Sequence, residues 1–205
     1  DPALYPEARA LVMAVGATNV SVTGSGTFEA KVAYWHVEAF KKRIPRPRFF
    51  QFKDCGNVRL EGFKVRNSPN WTIHMLCTDD VTIRRLDMRC EGPNTDGIDL
   101  ESVQRALIED CRLDQGDDGF CMKSGKNAEG RRRARPTKDV TIRNCTVVNG
   151  HTLLGIGSEL SGGIENITLE NCKVEGEVWR VLFIKTNPAR GGYVKGVKVR
   201  NVKAL

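Results

Sequence analysis

The sequence predicts an all-β protein folded as a right-handed single-stranded parallel β-helix. Three observations predict it. A six-residue segment of alternating apolar and polar residues recurs seven times along 205 residues. The segment closes in most copies on Gly, Asp or Asn. The position just beyond it is apolar or a thiol in copy after copy.

The segments, in order, are Asn19–Gly24, Asn57–Gly62, Asp80–Arg85, Arg105–Asp110, Asp139–Asn144, Asn166–Asn171 and Gly196–Asn201. Each has the period of two expected of a half-buried strand, not the three-and-four spacing of a helix. Their second residues stand at 20, 58, 81, 106, 140, 167 and 197, giving intervals of 38, 23, 25, 34, 27 and 30. The shortest interval is one coil, and the longer ones are that coil plus loop insertions, one of them near 124–137. Short strands at this interval favour a solenoid over a sandwich. The expectation is one domain over 1–205 with about seven coils.

Five residues after the second and each later anchor stand Phe63, Leu86, Cys111, Cys145, Cys172 and Val202. These should form one inward stack, with the free thiols acting as small hydrophobes. Asn144, Asn171 and Asn201 precede that position and suit a left-handed turn residue. The same pattern explains sequons such as Asn166-Ile167-Thr168.

Seven cysteines show no paired spacing of a zinc site. No cofactor-binding glycine signature is present, so no metal or cofactor is expected. The net charge of +7 draws polyanions: nucleic acid, anionic membrane or acidic polysaccharide. The dense basic run Arg131-Arg132-Arg133-Ala134-Arg135 reads as a solvated loop. No nucleic-acid motif surrounds it, and no run of 18 apolar residues marks a membrane span. The first residues, Asp1–Tyr5, lack the basic and apolar regions of a signal peptide.

Two acidic motifs follow consecutive anchors: Asn94-Thr95-Asp96-Gly97-Ile98-Asp99 and Gln115-Gly116-Asp117-Asp118-Gly119. Asp96 and Asp117 are 21 residues apart, close to one coil, so the solenoid sets Asp96 beside the Asp117–Asp118 pair. His151 and Asp117 each lie 11 residues after their anchors, which brings the imidazole to the same patch. Lys185 follows one coil later. Like charges this close raise at least one carboxyl pKa, the condition under which an acid and a carboxylate coexist near neutrality. Glycoside hydrolysis needs that pair. Asp99 and Asp114 are read as turn formers. Trp35, Trp71 and Trp179 are assigned to core or loop packing, with a sugar platform as the alternative for each, and His36 and His74 to structure.

At these residues the sequence resembles glycoside hydrolase family 28, the polygalacturonase-like pectinases. It has Asn94-Thr95-Asp96, Gly116-Asp117-Asp118, Gly150-His151-Thr152 and Phe183-Ile184-Lys185 in the family's order and spacing, over about 57–192. Asn67–His74 and Ile156–Gly163 resemble the bacterial branch. The resemblance implies a secreted or periplasmic enzyme that hydrolyses pectin, an acidic plant polysaccharide, with inversion. It implies Asp117 as general acid, Asp96 and Asp118 as the pair activating water, and His151 as the group tuning the acid. Asn94 and Lys185 would contact substrate. Inversion needs acid and base about 6.5–9.5 Å apart.

Two residues depart from the pattern. Thr152 replaces the last Gly of Gly-His-Gly, and Phe183 replaces the Arg of Arg-Ile-Lys. Phe183 cannot make a charged bidentate contact. It can stack on a sugar, with Arg180 or Arg190 supplying the charge, and a rhamnogalacturonan becomes an alternative substrate. Family members are usually longer, so a solenoid truncated at both ends is expected. Two other readings stay open: a non-catalytic module that binds acidic glycan, and a Ca²⁺-dependent pectate lyase on the same kind of solenoid.

Overall fold

The computed structural model describes residues 9–204, and Asp1–Tyr5 lie outside them. The described residues form a parallel β-helix of seven coils, each contributing one strand to each of three sheets. The first sheet holds β1 (Val12–Val15), β4 (Phe50–Lys53), β7 (Ile73–Leu76), β10 (Ile98–Glu101), β13 (Phe120–Lys123), β16 (Gly150–Gly157) and β19 (Val178–Lys185). The second holds β2 (Thr18–Thr23), β5 (Gly56–Glu61), β8 (Asp79–Arg84), β11 (Gln104–Glu109), β14 (Thr137–Arg143), β17 (Ile164–Glu170) and β20 (Val194–Arg200). These are the seven anchors of the repeat. The third holds β3 (Thr27–Glu29), β6 (Lys64–Arg66), β9 (Asp87–Cys90), β12 (Arg112–Gln115), β15 (Thr146–Val147), β18 (Lys173–Val174) and β21 (Lys203–Ala204).

The interior is filled by rows of like residues, one per coil. Val58, Val81, Ala106, Val140 and Ile167 align across the second sheet and are buried. Phe63, Leu86, Cys111, Cys145 and Cys172 are buried as well, with Val202 half-buried, and all three thiols are free. Asn144, Asn171 and Asn201 adopt φ of 55°, 54° and 52°. That is the left-handed region Asn tolerates, and the turn they make aims the next residue inward.

The outer face of the second sheet carries a charge ladder. Glu61, Arg84, Glu109, Arg143, Glu170 and Arg200 are in register on successive coils. Arg84 lies 3.0 Å from Glu61, Arg143 2.6 Å from Glu109, and Arg200 pairs with Glu170. Glu109→Arg would set three cations in a row between coils. A loss of about 1–2 kcal/mol is expected in urea unfolding, and an unchanged midpoint would show that the ladder contributes nothing.

Two insertions are ordered differently from the loops expected. The long first interval contains a five-residue helical turn in π geometry, Trp35–Ala39. The 124–137 insertion contains α1 (Asn127–Arg133). The basic run therefore closes a helix and is not a solvated loop. Arg133 bridges Glu129 and Glu101, Arg135 reaches Asp79 and the Ser102 carbonyl, and Arg131 donates to the carbonyls of Ala189 and Arg190. Nor are Asp99 and Asp114 turn residues: Asp99 lies in β10 and Asp114 in β12. Among the described residues no helix is long and apolar enough to cross a membrane.

Candidate active site on the first sheet

The site forms where each coil turns from the third sheet into the first. Backbone hydrogen bonds fix the register there. Phe49, Thr72, Gly97 and Gly119 donate to the carbonyls of Trp71, Asp96, Asp118 and Thr152. Arg48, Trp71, Asp96, Asp118, Thr152 and Arg180 therefore form one row along the helix axis. The neighbouring row contains Asp117 and His151, whose N–H donates to the Asp117 carbonyl, and continues to Trp179. A third row on the outer face runs Gln51, His74, Asp99, Cys121, Gly155 and Phe183. Asp96 therefore lies beside the aspartate pair as the coil count expects, opposite Asp118, with Asp117 one position back.

The turn holding Asp117 is tight. Gly116 packs where a Cβ would sit 2.2 Å from the Gly92 carbonyl oxygen, and its N–H donates to Thr95 Oγ1 at 3.0 Å. This explains why Gly precedes the paired aspartates. His151 Nδ1 lies 3.0 Å from Asp117 Oδ1, and the same oxygen accepts from the Asp118 N–H at 2.9 Å. The Asp117 side chain is 18% exposed, against 2% for Asp118, so Asp117 is the carboxyl that faces solvent.

Asp96 and Asp118 are joined through Cys121. Its Sγ lies 3.3 Å from Asp96 Oδ2 and 3.5 Å from Asp118 Oδ2, so its single proton serves either oxygen. Gly155 makes room for this arrangement. A Cβ there would sit 3.0 Å from Asp118 Oδ2 and 3.6 Å from the Cys121 sulfur. Lys185 donates to Asp118 Oδ2.

The buried acids of the site are shifted in different directions. Burial raises the Asp96 pKa to about 6, Lys123 works against that rise, and Asp117 and Asp118 add to it. Asp118 is also penalised by burial, but the Lys185 hydrogen bond and charge outweigh this and leave its pKa lowered. Burial pushes Asp99 well up, with the Asp96 charge adding to the effect. The Cys121 thiol is pushed well up by burial and by the Asp99 and Asp96 charges.

Beneath the carboxylates lies a cation that the sequence reading missed. Lys123 is buried, 3.6 Å from Asp99 Oδ1, 3.2 Å from Glu159 Oε2 and 4.7 Å from the Trp71 ring centroid. Burial opposes its charge, but Cys121, Asp99, Asp96 and Glu159 around it keep its pKa well above the ordinary value. Behind it, Gln51 Nε2 meets His74 Nδ1 at 3.2 Å and His74 Nε2 meets Glu101 at 3.1 Å. His74 is structural, as expected. His36 is too, with Nε2 2.8 Å from the Ser68 carbonyl oxygen.

The remaining candidates differ in their surroundings. Asn94 sits on the exposed turn with φ of 58°, its Oδ1 accepting from Arg46 at 2.5 Å. Thr152 is buried in the row between Asp118 and Arg180. The Arg180 guanidinium lies 4.5 Å over the Phe183 ring. Arg190 turns away, donating to the Ser158 carbonyl and Asn127 Oδ1. Trp179, expected to pack, is 67% exposed and stacks on His151 with centroids 4.1 Å apart at 14°.

Among the described residues, two groups hold donor atoms close enough for a metal ion: Asp96, Asp99 and Cys121, and Asp117, Asp118 and His151. In each, an ammonium already sits against a carboxylate, Lys123 on Asp99 and Lys185 on Asp118.

The chain is 31% identical over 199 residues to a probable polygalacturonase of Vitis vinifera, covering 94% of this chain and 40% of that protein. It is 29% identical to an endo-polygalacturonase of Pectobacterium parmentieri, covering 94% and 50%. The structure of a hyperthermoactive exopolygalacturonase from Thermotoga maritima superposes with a TM-score of 0.86 at 34% identity, covering 97% of this chain and 56% of that one. The chain thus spans about half the length of the relatives it matches. The family model for glycosyl hydrolases family 28 matches residues 4–204, and the chain belongs to that family.

Proposed function

We propose that the chain carries the catalytic coils of a glycoside hydrolase that cleaves α-linked galacturonate chains of pectin by inverting acid/base hydrolysis. One observation carries this reading. Three aspartates on adjacent coils are gathered on one outer face in three different environments. Lys185 keeps Asp118 ionised. In this reading Asp117, bonded to His151 and facing solvent, protonates the leaving oxygen. Asp96 and Asp118, linked through Cys121, hold and deprotonate the attacking water. A base with a pKa near 6 gives a rate that rises with pH through that value, because only ionised Asp96 accepts the proton.

Polygalacturonases among the relatives support the substrate class. A net charge of +7 suits an acidic polymer. Pectin lies outside cells, so the parent protein is proposed to be secreted or periplasmic.

The test is release of reducing ends from polygalacturonate and from rhamnogalacturonan in the presence of a chelator. Release from polygalacturonate without an unsaturated product supports the reading. Release from rhamnogalacturonan alone would move the substrate to that backbone. Folded protein that releases nothing from either would make the chain a glycan-binding module.

A further inference from the structure

We propose that Trp179 is a positioning residue: its indole holds the His151 imidazole against Asp117 and so fixes which oxygen of that carboxyl delivers the proton. The proposal rests on the reading of Asp117 as the general acid. It adds a residue that acts on that acid through His151, without touching the reacting atoms.

Hydrogen bonding alone leaves the imidazole underdetermined. His151 is partly exposed, and its Nδ1 lies 3.0 Å from Asp117 Oδ1. Among the described residues the imidazole has that one hydrogen-bonding partner and one ring contact, Trp179. A single hydrogen bond pins one ring atom. The plane can still tilt about it, and tilting takes the N–H off the line on which the bond is strong. A second ring, 4.1 Å away between centroids and 14° from parallel, removes that freedom, because stacked aromatic pairs prefer a defined geometry.

The fold builds this contact. Gly150 pairs with Val178 and Thr152 with Arg180, so His151 and Trp179 stand opposite each other on adjacent coils. Backbones in that relation are about 4.8 Å apart, and flat side chains rising from them meet face to face. Asp117 is next in the same row, its carbonyl accepting the His151 backbone N–H at 3.0 Å. The imidazole is thus placed between the acid and the indole.

The consequence falls on Asp117. Its Oδ1 accepts from the Asp118 N–H at 2.9 Å and meets His151 Nδ1 at 3.0 Å. Both contacts engage the same oxygen, which leaves Oδ2 to carry the proton toward the leaving oxygen. With the imidazole turned away, only the Asp118 N–H would distinguish the two oxygens, and the carboxyl could rotate. Burial does not account for the tryptophan. It is among the most exposed large apolar side chains and has no hydrogen bond among the described residues. Its defined contact is the imidazole.

Two measurements test this. The first compares proton and nitrogen NMR signals of the His151 ring at about pH 8, where an ordinary imidazole is neutral. In the unaltered protein the indole should move the ring protons upfield, and the nitrogens should report one tautomer. Trp179→Leu should lose both features, and Trp179→Phe should keep them. The second is cleavage of polygalacturonate. Trp179→Leu should lower kcat about 2- to 10-fold, the range an aromatic pair spans, with KM changed less than about twofold. Trp179→Phe should restore most of the rate. In a His151→Ala background Trp179→Leu should cost nothing further, because it acts through the imidazole. A raised KM with unchanged kcat would make Trp179 a sugar platform and overturn the proposal. A full loss in the His151→Ala background, or His151 signals unmoved by Trp179→Leu, would overturn it too. If the unaltered protein releases no reducing ends, the hydrolase reading fails by itself, and the NMR comparison still decides whether the indole sets the imidazole.

Discussion

Asp117→Asn is expected to lower galacturonan cleavage about 10³-fold, the range lost with a general acid, while the unfolding curve stays where it was. Asn fills the same volume, and its amide oxygen can still accept from the Asp118 N–H as Asp117 Oδ1 does at 2.9 Å. What it lacks is a proton to give. A substrate whose leaving group needs no protonation should therefore recover most of the rate in this variant. Asp96→Asn should not recover with the same substrate, because the attacking water still needs a base. If both variants recover, or neither does, the roles assigned to Asp117 and Asp96 are wrong.

Lys123→Met is expected to cost about 3–5 kcal/mol in urea unfolding at pH 7.5, the penalty for stripping one partner from a buried ion cluster. Methionine replaces most of the volume, so a cavity contributes little. The cost is electrostatic: Asp99, Asp96 and Glu159 lose the cation they surround. Its pH dependence follows from the directions of the shifts. Asp96, raised to about 6, and Asp99, raised well above its ordinary value, favour the folded state when protonated. That contribution is present at low pH and disappears as pH rises through their folded pKa values. Removing Lys123 takes away the group that lowers both, so they hold protons to still higher pH. The variant's deficit should shrink at pH 4.5, where protonation relieves the uncompensated charge. Equal deficits at pH 4.5 and 7.5 would show that packing, not charge, is lost.

The solenoid was legible because its signals are local and repeated. Alternation at Val58, Val81 and Val140, an asparagine that takes a positive φ, and a thiol or aliphatic residue after it state the same coil several times. The gathering of Asp96, Asp117, Asp118 and His151 followed by counting residues per coil, though the count alone does not say which aspartate of the pair stands opposite Asp96. Coil length varies in the turn, and only the hydrogen bond from Gly97 to the Asp118 carbonyl fixes it.

Lys123, Cys121 and Asp99 were hidden for a different reason. Their strands, Phe120–Lys123 and Ile98–Glu101, are buried on both faces, so alternation does not mark which side chains point outward. Trp179 was misassigned because exposure of an aromatic residue leaves no trace in local pattern; its meaning comes from the row it continues. The helix Asn127–Arg133 was missed because Gly130, in the middle of only seven residues, gives the segment weak intrinsic helicity. It is held by Glu129, Glu101 and the Ala189 carbonyl, none of which local propensity registers.

The alternating Glu and Arg on the second sheet act as a parity rule for how such a chain can change length. Delete one whole coil between Arg84 and Arg143, and two arginines meet across the new junction; insert one Glu-bearing coil beside Glu109, and two glutamates meet. Removing or duplicating two adjacent coils together preserves the order of signs. A genetic event of about 50 residues should thus be tolerated on this face better than one of about 25, the usual size advantage of the smaller lesion being reversed.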